Sequence, residues 1–279
     1  METFKILSIN NAVIGEANFR LPFEPKLHAK EYRDRLRDEI RKLDISNDTL
    51  LKATLKTSNK QFFDVENVLF YNLGTSCFKK CSVNGVFMEY EELDNGLTYH
   101  KYSISNINDI LDCKRDAIAQ LEFNIDKMNT SSKPFEYWFA SHNGSCRMAK
   151  DKWRKNEEFG LFIKIISNRE KYNIVNLIKP MVDGVIARFH SDINLEANAI
   201  QYLCDTNKCE KMKLTEFLMN KNSNLLGERN LLKTYRSGVM WNPEDELCKE
   251  LLIIPIKDQS SGKIKIEVEL YKLSKDSNV

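Results

Sequence analysis

The sequence predicts an α+β fold built from two related strand-helix-strand halves, the second carrying an inserted helical subdomain. Three observations support this. Amphipathic helical stretches alternate irregularly with apolar strand patterns, the chain closes on two strand-like runs, and one segment is echoed 109 residues later, with Asn67 falling on Asn176. The 279 residues are 42% hydrophobic and 29% charged, enough to bury a large core.

The first helix is expected near 26–43, where Tyr32, Leu36, Ile40 and Leu43 share a face and Arg33, Arg35, Arg37 and Arg41 interleave with Asp34, Asp38 and Glu39. Pro22 and Pro25 prevent it from starting earlier. LLKATLKTS then alternates Leu51, Ala53 and Leu55 against Lys52, Thr54 and Lys56, the pattern of a half-buried strand. A second helix is expected over 106–124, with Ile107, Ile110, Leu111, Ile118 and Leu121 inward. MNTSSKP reads as a linker, so the halves are drawn as 1–127 and 135–279. FGLFIKIIS is a strand buried on both faces, and 190–236 is the interrupted helical insertion. KELLIIPIK and KIKIEVELYKL close the chain as a hairpin around DQSSG.

The echo aligns TSNKQFFDVENVLFYN with ISNREKYNIVNLIKPM, and each copy follows an expected strand. Segments 51–72 and 160–181 should then superpose as strand-loop-helix units about a pseudo-two-fold axis. The second copy also poses a question. Asn173, Asn176, Lys179 and Asp183 run as a polar stripe through an otherwise apolar helix. The plain explanation is that Asn176 caps the helix, Pro180 sits near its first turn, and Lys179 and Asp183 form an i,i+4 ion pair.

The stripe, followed by WNPEDELCKELLIIPIK, resembles the RusA-like Holliday-junction resolvases, whose site is similar to Asp-x-Asp-Asn-x-x-Lys-x-x-x-Asp with a late acidic pair. Here Asn176, Lys179 and Asp183 match the second part of that pattern, and Glu244-Asp245 matches the pair. The first copy supplies the acidic start, Asp64, Glu66 and Asn67, but has Phe70 and Gly74 where lysine and aspartate belong; the second has Asn173 and Val175 where the carboxylates belong. Each copy holds half of the motif, as one composite site or as two decayed ones. The resemblance implies catalytic Asp183, Asp245 and Lys179, with Mg²⁺ held by Asp183 and Asp245, and by Asp64 and Glu66 if the halves pack face to face. Carboxylates suit a hard cation that polarises phosphate and activates water, and a lysine stabilises the charge that develops.

RMAKDKWRK sets Arg147, Lys150, Lys152, Arg154 and Lys155 around Trp153, a pattern suited to tracking phosphates with one stacking platform. The expected partner is branched or single-stranded DNA, with a protein partner on the helical insertion. Two rivals stand beside a nuclease: a catalytically inactive DNA-binding or assembly subunit, and a protein-only interaction module of the phage or defence-associated kind. The net charge of +2 is compatible with all three. Seven scattered cysteines, with neither Cys77/Cys81 nor Cys204/Cys209 at CxxC spacing, read as free thiols rather than zinc ligands. His28, His100, His142 and His190 are dispersed, and only His142 and His190 have neighbours polar enough for a site. No apolar run nears the roughly 20 residues that span a bilayer, and no signal-peptide pattern opens the chain, so the expected location is the cytoplasm.

Overall fold

The computed structural model describes residues 3–58, 63–129, 131–149, 153–154, 156–169, 172–259 and 262–273. It is an α+β structure organised on one ten-stranded mixed sheet. The first six elements are β1 (Phe4–Ile9), β2 (Ala12–Ala17), α1 (Leu27–Ile40), β3 (Thr49–Thr57), β4 (Val86–Glu92) and β5 (Thr98–Asn106). Then come α2 (Ile107–Leu111), β6 (Asp116–Ile125), α3 (Pro134–His142), β7 (Ser145–Met148), β8 (Phe159–Ser167) and α4 (Ile174–Ala187). Next are β9 (His190–Asp192), α5 (Ala197–Asn207), α6 (Lys211–Leu218), β10 (Gly227–Arg229), β11 (Leu232–Tyr235) and β12 (Gly238–Trp241). The chain finishes with β13 (Cys248–Lys257) and β14 (Ile264–Lys272).

The strand order is β1-β2-β5-β3-β4-β13-β8-β14-β6-β7. Its pairings read the same from either edge. β3 runs parallel to β4 and β8 parallel to β13, the seam between β4 and β13 is antiparallel, and every outer pairing is antiparallel. Strand ends Thr57 and Ser167 lie 110 residues apart, and the helical turns that follow start at Val65 and Ile174, 109 apart. The edge strands are not sequence equivalents, since β1 precedes β2 whereas β7 follows β6.

One core covers the face shared by α1 and α4. Leu51, Ala53 and Leu55 of β3, Leu161, Ile163 and Ile165 of β8, and Leu251 and Ile253 of β13 all point into it. The other face holds a smaller cluster, with Leu50, Phe162, Leu252 and Tyr271 beneath α2. α4 is buried nearly all round, which explains its apolar composition. Gly184 permits α3 to cross it closely, because a Cβ there would meet the Pro134 carbonyl oxygen at 2.5 Å.

Four expectations need correction. Residues 106–124 are not one helix: α2 stops at Leu111, and β6 follows because Leu121, Phe123 and Ile125 alternate with Gln120, Glu122 and Asn124 at period two. β6 pairs with β14, so the sheet groups it with the second half and not with 1–127. β13 and β14 are not a hairpin, since β8 lies between them and pairs with both. The 190–236 segment mixes α5 and α6 with a parallel β9-β10 pair and with β11, which forms a hairpin with β12 just beyond it. This module has its own core, in which Ile200, Leu203, Leu214 and Leu218 pack with Phe135 and Trp138 of α3.

Candidate composite acidic site

α4 starts at Ile174, so Asn176 lies inside the first turn and does not cap; Asn173 is at the cap position, without a side-chain capping bond. Pro180 is seven residues in, past the first turn, where its ring removes a helical donor. The damage is contained by Tyr71, from the π-helical turn Asn67–Tyr71. Its hydroxyl accepts from the Lys179 N–H at 3.0 Å and donates to the Val175 carbonyl at 3.3 Å, entering the helical ladder at the bond just before the proline. Burial pushes the Tyr71 phenol up to about 12. Tyr71→Phe deletes both bonds, and we expect a stability loss of about 1–2 kcal/mol in urea unfolding. An unchanged midpoint would show that the helix closes its own ladder without the hydroxyl.

Held in this way, the Lys179 ammonium reaches four carboxylates. Its Nζ lies 3.0 Å from Asp64 Oδ2, 3.0 Å from Glu66 Oε1 and 3.1 Å from Asp183 Oδ1, and it also donates to Asp245 Oδ2. Asp64 and Glu66 come from the turn after β3, Asp183 from the turn of α4 after Lys179, and Asp245 from the 3₁₀ turn before β13. Asn67 Nδ2 steadies Asp64 by donating to Oδ2 at 2.5 Å. Of the late acidic pair only Asp245 turns inward; Glu244 lies 3.8 Å from Arg229. The plain i,i+4 pair of Lys179 with Asp183 exists, but it is one contact of four.

The electrostatics are those of a crowded, dry anionic pocket. Side-chain exposure is 2% for Glu66, 8% for Asp245 and 9% for Asp183, against 27% for both Asp64 and Lys179, so the cluster opens on the Asp64 side. Burial raises the Glu66 carboxyl to about 7; Lys179 opposes this, and the Asp245 and Asp64 charges add to it. Burial likewise pushes Asp183 well above its ordinary value and raises Asp245. Burial would lower the Lys179 ammonium, but Glu66, Asp183, Asp245 and Asp64 together outweigh it and raise it. Four acids facing one cation leave the cluster short of positive charge.

Asp64, Glu66 and Asp245 each offer an oxygen within 4.8 Å of the others, the one such group of potential metal ligands among the described residues. Buried Asp183 Oδ1 has the Lys179 ammonium 3.1 Å away as its ion-pair partner. The all-carboxylate donor set of Asp64, Glu66 and Asp245 could hold a hard divalent cation.

The basic stretch is elsewhere. On β7, Cys146 and Met148 turn toward the core, so Arg147 faces the opposite side of the sheet from α4, beside Glu122, Glu267 and Glu269. Trp153 is half-buried and edge-on to Phe159 at 6.1 Å, so its ring packs on the protein instead of standing free as a platform. Arg154 is exposed, and Lys150, Lys152 and Lys155 lie outside the described residues. His142 stacks on Phe217 at 4.4 Å and His190 Nδ1 lies 3.2 Å from the Gly227 carbonyl, both outside the acidic cluster. Tyr71 escaped the sequence-level reading because nothing in the sequence marks a side chain that completes another helix's ladder.

Comparison with protein-family profiles, with curated proteins and with solved structures gives no match. Among the described residues no helix is long and apolar enough to cross a membrane.

Proposed function

We propose that this chain is a Mg²⁺-dependent phosphodiester endonuclease acting on branched or otherwise structured DNA, with one composite site contributed by both halves of a duplicated RusA-like architecture. The observation that carries the proposal is the convergence of Asp64 and Glu66 from the first copy with Lys179, Asp183 and Asp245 from the second. The two half-motifs are spatially one motif. The symmetric order of the sheet supports the duplication, because the axis that relates β3 to β8 and β4 to β13 runs through the β4-β13 seam. The choice of DNA rests on the resemblance.

Asp64, Glu66 and Asp245 would hold the cation, which when bound supplies Lewis acidity and a more acidic water. Asp183, buried and ion-paired to Lys179, would accept a proton or orient a water beside those ligands. Lys179 neutralises the cluster in the free protein. Lys179, part-exposed with Asp64 at the open side of the cluster, would stabilise charge that develops on a phosphoryl oxygen there.

The test is cleavage of end-labelled four-way junctions, forks and nicked duplexes by purified protein with Mg²⁺ or Mn²⁺, against a chelator control. Metal-dependent products are expected. Binding without cutting by either metal would identify the inactive DNA-binding subunit, and absence of both would remove nucleic acid as the substrate. Where binding is seen, replacing Arg147 by alanine should change affinity less than twofold, since Arg147 lies on the far face among glutamates.

A further inference from the structure

The symmetric sheet should create two equivalent places for a site, and only one is built. Under the relation that brings β3 onto β8, Asp64 and Glu66 correspond to Asn173 and Val175, Lys179 to Phe70, and Asp183 to Gly74. Where Asp245 precedes β13, residues 78–85 precede β4 and contain Lys79 and Lys80 but no carboxylate. The second place is filled with packing. Val175 and Phe70 are fully buried, and Phe70 lies edge-on to Phe78 at 5.2 Å. Asn173 Oδ1 is left without a hydrogen-bond partner there.

A symmetric pair of incisions across a branched junction needs two centres facing two strands. We infer that this chain makes one incision per binding event, nicking a single strand of a branched duplex. The inference rests on the proposed endonuclease activity. In that one step a water oxygen bonds to the phosphorus of one phosphodiester and one P–O ester bond breaks. The departing oxygen leaves as a hydroxyl after taking up a proton, and the water's proton passes to a carboxylate of the cluster. Among the described residues there is no second group of carboxylates to meet a second phosphodiester.

The experiment uses the full chain, Mg²⁺ and a negatively supercoiled plasmid that extrudes an inverted repeat as a four-way junction, with protein below plasmid concentration. Open circles should form first, and linear DNA should appear only later, as a second encounter adds a second cut. Linear DNA at the earliest times, without an open-circle precursor, would overturn the single-incision inference and leave the endonuclease proposal standing. No product with Mg²⁺ or Mn²⁺ would overturn both. Glu66→Gln provides a second readout: nicking should fall at least about 100-fold, whereas residual cutting near half the parent rate would reveal a second working centre and also overturn the inference.

Discussion

Asp64→Asn and Asp245→Asn should each reduce Mg²⁺-dependent cleavage at least about 100-fold, because an amide is a far weaker ligand for a hard cation than a carboxylate. The two losses should be similar in size although the residues come from opposite halves, and the double variant should be little worse than either single one, as expected of groups that act as a unit. Neither substitution should unfold the protein, since each removes one negative charge from a cluster with four carboxylates around one ammonium. Asn173→Ala, at the position matching Asp64 in the other copy, should change the rate by less than about threefold. Single-turnover rates on a labelled junction decide the matter. A cleaving enzyme indifferent to Asp64→Asn would show that the composite cluster is not the reaction centre.

Lys179→Met should destabilise the metal-free protein by about 3–5 kcal/mol at pH 8, because it leaves buried carboxylates without their counter-charge. The loss should depend on pH with a definite sign. Glu66 titrates near 7 in the folded protein against an ordinary 4.5, so its ionised form is disfavoured by folding, and the associated stability is lost as pH rises through about 7. Removing the ammonium, which holds the Glu66 carboxyl down, pushes it higher still. The difference between variant and parent should therefore be largest above pH 7 and shrink toward pH 5, where Glu66 is largely protonated. Taking the difference also cancels the buried histidines, such as His100, which burial holds at about 4 in both proteins. Added Mg²⁺ should recover much of the loss at pH 8, since it binds the folded cluster and supplies the missing charge. Urea midpoints at the two pH values, with and without the metal, measure all of this. A loss below about 1 kcal/mol that ignores pH would reduce Lys179 to an ordinary surface ion pair.

Where periodicity is strong, the elements were legible. α1 declares itself through Tyr32, Leu36 and Ile40, and β8 through a continuous apolar run. β6 was misread because Ile107, Ile110, Leu111, Ile118 and Leu121 satisfy helical spacing until the alternation from Leu121 onward is weighed. The split of β13 from β14 was hidden for a different reason: a strand inserted between two others, as β8 is, leaves no mark on the strands it separates. The acids and the lysine were visible as two incomplete motifs. Their meeting was not, because it depends on how β4 joins β13 and on a tyrosine hydroxyl entering a distant helix. Of the basic run, composition gave the charge of Arg147 but not the side of the sheet it faces, and Lys150, Lys152 and Lys155 lie outside the described residues.

The β4-β13 seam has one more consequence. Only four residue pairs are in register across it, from Glu250 opposite Glu89 to Ile253 opposite Val86, where β3-β5 has nine. Two separate chains held by so short a junction would depend on encountering each other in solution. Here both sides belong to one polypeptide, so closure of the seam is intramolecular and governed by an effective concentration fixed by the connecting chain. Assembly of the five charged groups is therefore a unimolecular property, unaffected by dilution, with covalent tethering in the place of mass action.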